Sequence, residues 1–182
     1  QVEALPAQAI ASDSRTTISW RDYLELTKPR VVALMILTSV IGMLLAAPGV
    51  PGWGVLVWGN LGIALLAGAA AVVNHVVDQK IDTVMARTRK RPVATGKISP
   101  VDAILFATIL ACVGMAVLMW QVNHLTAWLT LASLVGYAGV YTLFLKRATP
   151  QNITIGGLAG AMPPLLGWTA VTGQVEGHAL LL

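Results

Sequence analysis

Five apolar runs, residues 31–47, 54–73, 101–120, 125–145 and 153–171, leave few folds open to this chain. Each approaches the ~20 residues that a helix needs to cross the hydrocarbon of a bilayer. With 56% hydrophobic and only 11% charged residues and a mean hydropathy of +0.73, a soluble globular monomer is excluded. The expected fold is all-α, a polytopic transmembrane helix bundle with five spans. Ala179 to Leu182 reads as the opening of a further apolar run, and the chain begins with Gln1. More spans are therefore expected downstream.

The basic residues fix an orientation. Arg15, Arg21, Lys28, Arg30, Lys80, Arg87, Arg89, Lys90, Arg91, Lys97, Lys146 and Arg147 are the twelve cations, and alternate topology puts them all on one side. That side is cytoplasmic by the positive-inside rule. The opposite connections, 48–53, 121–124 and 172–178, hold no Lys or Arg and a single acid, Glu176. The net charge of +4 thus reports topology and does not argue for a nucleic-acid partner. Residues 1–16 read as a disordered tail with no signal-peptide core, and 17–182 as one membrane domain. Trp20, Tyr23 and Leu24 share a face of an interfacial helix leading into the first span. Cys112 is the sole cysteine, which rules out an intrachain disulfide, a Cys-pair zinc site and covalent haem attachment; it is expected as a small buried hydrophobe. Ser99, Pro100 and Asp102 supply a cap, a first-turn proline and an acid for the third span.

Where the second run ends, Asn74, Asp78 and Asp82 stand at i, i+4 and i+8, one stripe of a helix that continues through them. A carboxylate at the centre of a bilayer costs ~2.5–3.5 kcal/mol on insertion scales, so acids at the end of such a run need a partner. Oxygen ligands in this pattern suit Mg²⁺, which is held by one or two carboxylates together with substrate phosphates. The following loop, 83–97, adds Arg87, Arg89, Lys90, Arg91 and Lys97 with Pro92 and Gly96. Arginine forks bind phosphate oxygens bidentately. Acids followed at once by cations are what a metal–diphosphate complex requires, whereas a purely topogenic loop needs cations alone.

A second polar cluster, Tyr141, Lys146, Arg147 and Asn152, falls on the same side; Lys146 and Arg147 also read as inside-facing anchors and Tyr141 as an interface aromatic. Gly156, Gly157, Gly160 and Ala161 are small residues that let helices approach closely. Pro163 and Pro164 are expected to kink or break the fifth span.

Asn74-x₃-Asp78-x₃-Asp82, then Met85-x-Arg87-Thr88-x₂-Arg91-Pro92-x₃-Gly96, then Tyr141-Thr142-x₃-Lys146-Arg147 resemble the intramembrane aromatic prenyltransferases of the UbiA superfamily. The stretch from Thr149 to Trp168 resembles the fifth-helix signature of its protoheme IX farnesyltransferase (haem O synthase) branch, and Leu26-Thr27-Lys28-Pro29-Arg30 resembles the start of the family's first helix. The likeness runs from Leu26 to Trp168. It implies a nine-helix bundle with a second aspartate-rich motif. That motif is not in this chain, which alone would carry half of the Mg²⁺–diphosphate site.

The resemblance further implies transfer of a farnesyl group from farnesyl diphosphate to a vinyl group of haem B, giving haem O. Asp78, Asp82, Arg87 and Lys146 would be catalytic. Asn74, His75, Arg91, Tyr141, Arg147 and Asn152 would bind substrate, with Asn74, Asp78 and Asp82 holding Mg²⁺ and His75 the best-placed histidine for haem. The implied setting is the cell inner (cytoplasmic) membrane, or the mitochondrial inner membrane in a eukaryote. The implied partners are the lipid bilayer and haem A synthase or the terminal oxidase assembly machinery. Rival readings are a relative acting on 4-hydroxybenzoate or a chlorophyll-type acceptor, and, in another class, a transporter or structural membrane subunit. A transporter predicts charges along a path through the bilayer. Here the acids stack at one end.

Overall fold

A computed structural model describes residues 18–86, 88–139 and 152–181, with only the backbone of 152–159. The tail 1–16 and the sites Arg87, Tyr141, Lys146 and Arg147 lie outside the described residues. Every regular element among the described residues is helical: α1 (Trp20–Leu26), α2 (Pro29–Ala46), α3 (Asn60–Asp82), α4 (Pro100–Gln121), α5 (His124–Val135) and α6 (Asn152–Thr172). A π-helical turn, Val55–Gly59, leads straight into α3, and a 3₁₀ turn, Gly177–Leu181, follows α6. Three segments among the described residues are long and apolar enough to cross a membrane: Pro29–Ala46, Val55–Asp82 and Pro100–Gln121.

Local chemistry sets the helix ends. Ser19 and Asp22 form a capping box on α1, with the Ser19 amide donating to Asp22 Oδ2 at 2.7 Å. Ser99 Oγ accepts from the Asp102 amide at 3.1 Å and Pro100 occupies the first turn of α4, so Asp102 is a capping residue as its position suggests. At the opposite end of the bundle, Asn123 caps α5 by accepting from the Thr126 amide at 2.8 Å and donates to the Thr169 carbonyl of α6 at 3.0 Å.

The helices pair as α2 with α6 and α3 with α4, and α3 also touches α1, α2 and α5. Lipid tails are as apolar as leucine, so this packing depends on close fit. A Cβ on Gly42 would collide with the Pro164 carbonyl, and one on Gly167 with the Ser39 carbonyl. The close approach on α6 is therefore made at Gly167. Gly160, expected at a helix contact, has nothing within 4 Å of such a Cβ and instead lines a cavity. Nor do Pro163 and Pro164 break α6, which is continuous from Asn152 to Thr172. Packing of the Pro164 turn against α2 holds a helix that lacks two amide donors. Cys112 is exposed, not buried: α4 packs chiefly through the face turned to α3, and Cys112 lies on the other.

α1 does more than anchor. Leu26 is fully buried with Val72, Val93, Ile98 and Ala103, and Tyr23 meets Phe106 edge to face at 5.1 Å. Lys97 Nζ pairs with Asp22 Oδ2 at 2.7 Å, tying α1 to the loop after α3.

Candidate active site

The stripe on α3 forms as its spacing requires. Asn74, Asp78 and Asp82 are 7%, 6% and 4% exposed, and each contacts something brought from elsewhere in the chain or from the stripe itself. Arg91 Nη1 donates to Asp82 Oδ2 at 2.7 Å. With its amide nitrogen turned to Asp78, Asn74 donates to Asp78 Oδ2 at 2.9 Å and its oxygen accepts from Lys28 Nζ at 3.0 Å. The reverse orientation would set oxygen against carboxylate and nitrogen against ammonium. Two acids, an amide and two cations thus converge at one end of the bundle.

Lys28 is the residue that sequence reasoning missed. It caps α2 in the left-handed region, φ 52°, the sole non-glycine at positive φ among the described residues. Steric cost falls on any β-carbon there, and the residue before a proline is pushed to extended backbone in most chains. That unusual conformation goes with the ammonium reaching Asn74 on α3. The signal for it in the sequence is slight: a Lys-Pro step on the side of the membrane that holds the acids.

The loop from 83 to 99 is built, not merely charged. Gln79 Nε2 donates to the Val93 carbonyl at 3.1 Å, Thr88 Oγ1 donates to the Asp82 carbonyl at 3.3 Å, and the Ile98 amide donates to the Pro92 carbonyl at 3.1 Å. Gly96 turns the chain at φ 74°, a conformation glycine adopts freely. Val93 and Ile98 are buried beneath, so Arg91 is held at the stripe by a folded scaffold, while Arg89 and Lys90 are exposed. Asp22, at the rim, has its carboxyl held below the usual carboxylate range, first by the hydrogen bond from Lys97 and then by the Ser19 amide.

His75 is 3% exposed and neither ring nitrogen has a hydrogen-bond partner among the described residues. Asn152 opens α6, with its backbone alone described.

Inward from the stripe lies a cavity of about 420 Å³ between α2, α3, α5 and α6, with Lys28 on its wall. Four of its lining hydroxyls are engaged by backbone carbonyls of their own segments. Thr38 donates to the Met35 carbonyl at 3.0 Å, Thr130 to the Thr126 carbonyl at 2.6 Å, Ser133 to the Leu129 carbonyl at 2.8 Å, and Thr27 to the Leu24 carbonyl at 2.7 Å. Side-chain donors that bond their own helix leave methyl and methylene groups to face the space. An apolar chain with a charged head fits such a cavity.

The donor set suits a hard cation in part. Two buried carboxylates and an amide are oxygen ligands of the kind Mg²⁺ takes, but among the described residues no three His, Cys, Asp or Glu side chains gather into a complete metal cluster. By itself the stripe offers oxygen donors on one side only.

Residues 35–182 match the UbiA prenyltransferase family. The chain belongs to that family. Among relatives of this UbiA chain, a protein named protoheme IX farnesyltransferase from Marinobacter nauticus is 86% identical over 181 residues, covering 100% of this chain and 59% of the relative. One of the same name from Saccharophagus degradans is 73% identical over 163 residues, covering 90% and 54%. The chain spans little more than half the length of these curated relatives. Among solved structures, a UbiA homolog from Archaeoglobus fulgidus bound to DMAPP and Mg²⁺ superimposes with a TM-score of 0.67 at 17% identity, over 84% of this chain and 55% of that one. The same homolog bound to GPP and Mg²⁺ gives 0.66 at 18%. The fold is that of a UbiA bundle, and the protein is a membrane protein.

Proposed function

We propose that the protein carrying this chain transfers a farnesyl group from farnesyl diphosphate to a vinyl group of haem B, making haem O. The observation that carries the reading is the acid–cation cluster set directly over an apolar cavity: Asn74, Asp78, Asp82, Arg91 and Lys28 at the head and aliphatic walls below. Protoheme IX farnesyltransferase as the name of relatives this similar favours haem over 4-hydroxybenzoate or a chlorophyll-type acceptor. A transporter is disfavoured because the acids of α3 gather at one end of the bundle.

In this reading the allylic C–O bond breaks and its electron pair leaves with the diphosphate. The vinyl group attacks the allylic carbon, the resulting cation beside the porphyrin takes the oxygen of a water, and that water releases a proton. Mg²⁺, held by Asn74, Asp78 and Asp82 together with groups from the rest of the bundle, would neutralise the diphosphate. Arg91 and Lys28 bind the leaving group with preformed donors whose orientation is fixed by the scaffold. Arg87, Lys146 and Arg147 are assigned to the same grip, and Tyr141 and Asn152 to substrate contact. The walls of the cavity keep water from the allylic cation until transfer has occurred. His75, buried and with no hydrogen-bond partner for either ring nitrogen among the described residues, is assigned to haem contact. The acids and cations face the cytoplasm in the cell inner membrane, and haem A synthase or the oxidase assembly machinery takes the product.

The test is mass-spectrometric detection of a farnesylated, hydroxylated haem from membranes containing the full-length protein, haem B, farnesyl diphosphate and Mg²⁺. Product is expected, and it is expected to vanish with EDTA and in Asp78→Asn. A folded, full-length protein that forms none refutes haem as acceptor.

A further inference from the structure

α3 carries one continuous stripe from the acids to the bottom of the cavity. Below Asp78 and Asn74 come Ala71, Ala70 and Ala67, all lining the cavity, and then Ile63. The alanines leave space and Ile63 ends it. Ile63 and Leu166 line the cavity and also belong to a tight cluster with Met43 and Ala170, in which every member is 4% exposed or less. That end is closed by packed core.

The depth can be measured along the helices. From Asn74 to Ile63 is ~16 Å of α3, and from Lys28 to Thr38 on the opposite wall ~15 Å of α2, at ~1.5 Å per residue. An extended isoprene unit advances ~5 Å, four carbon–carbon bonds at ~1.25 Å each along the chain. Three units need ~15 Å and four need ~20 Å on the same bond lengths. We propose that Ile63 and Leu166 form a floor that limits the prenyl chain to three isoprene units, so that these two residues set donor specificity. This rests on the reading of the site as a prenyl diphosphate site.

The experiment uses the full-length protein and compares kcat/KM for the C10, C15 and C20 allylic diphosphates. Ile63→Ala and Leu166→Ala deepen the cavity, and the C20:C15 ratio is expected to rise about tenfold or more, the scale of discrimination that a few methylenes supply. Ala67→Leu, one helical turn above the floor, shortens the cavity and is expected to raise the C10:C15 ratio by a similar factor of about ten. Shifts in opposite directions from trimming and filling are not what a general loss of packing produces. Unchanged ratios in these variants, with prenyl transfer intact, overturn the floor and mean that the tail leaves sideways between helices. Should the trimmed variants fail to fold, Ala67→Leu alone decides, and an unchanged C10:C15 ratio overturns the proposal. Failure of the folded wild-type protein to transfer any of the three donors removes the site reading and the floor with it.

Discussion

Replacing Arg91 with alanine should cost the protein stability through Asp82, and the amount can be worked from the pair. Arg91 Nη1 lies 2.7 Å from Asp82 Oδ2, with the two side chains 25% and 5% exposed. At an effective dielectric of ~20 the Coulomb attraction at that separation is ~6 kcal/mol. Desolvation of both ions offsets much of it, but deleting one partner leaves the other charge buried, which typically costs ~3–5 kcal/mol. Because Arg91 is a quarter exposed, and water can reach the vacated space, we expect ~3 kcal/mol. Asp82→Asn keeps an acceptor for the guanidinium and should cost less, ~1–2 kcal/mol. In the double variant Asp82→Asn/Arg91→Ala no uncompensated carboxylate remains, so its cost should fall short of the sum of the singles by ~2 kcal/mol. The assay is reversible unfolding of the full-length protein in detergent, run on all four members of the cycle. A coupling under ~0.5 kcal/mol, within the scatter of independent sites, would refute the claim that the loop is clamped to the stripe through this pair and return Arg91 to the status of a topology signal.

Other perturbations separate the site from its scaffold. Lys28→Gln should leave the bundle folded yet raise the KM for the diphosphate donor about tenfold, the loss of one charge-assisted hydrogen bond of ~1.5 kcal/mol; initial-rate kinetics with an unchanged KM would remove Lys28 from the diphosphate grip. Gly42→Leu and Gly167→Leu should each force α2 from α6 and destabilise by ~2 kcal/mol or more, read as a lowered thermal midpoint in detergent. The depressed pKa of Asp22 stabilises the fold above the pKa of an unfolded aspartate, and that contribution is lost as pH falls through the folded value. Stability measured from pH 6 down to pH 3 should therefore decline less steeply in Asp22→Asn than in the wild type, and identical slopes would count against the Lys97 contact.

How far the site was legible depends on the range of each contact. Asn74, Asp78 and Asp82 could be placed on one stripe because a helix brings i, i+4 and i+8 together whatever it packs against, and α3 does run unbroken through Asp82. The caps at Ser99 and the helical order of the spans are local in the same sense. Lys28 was not legible, since its place beside Asn74 depends on a left-handed backbone and on a partner far along the chain. Gly160 and Gly167 illustrate the same limit: both are small residues on one helix, and only the path of α2 decides that Gly167 meets Ser39 while Gly160 faces the cavity. Cys112 failed for a related reason, because an apolar helix shows no polar face from which its outer side can be read.

The loop makes the strongest case that sequence pattern and mechanism are linked by packing. Its cations could have served orientation alone, and Arg89 and Lys90, exposed to solvent, are consistent with that role. Arg91 differs from them by its neighbours. Pro92, Val93 and Ile98 bury the chain on either side of the loop's turn, and Gln79 holds Val93 from the same helix that carries the acids. A guanidinium fixed in this way would lose little further freedom on binding an anion, so under the proposed function its donors would contribute nearly their full strength as charge develops on a leaving group. A mobile cation of equal charge would contribute less. The buried apolar residues of the loop therefore matter to the site as much as its charges do.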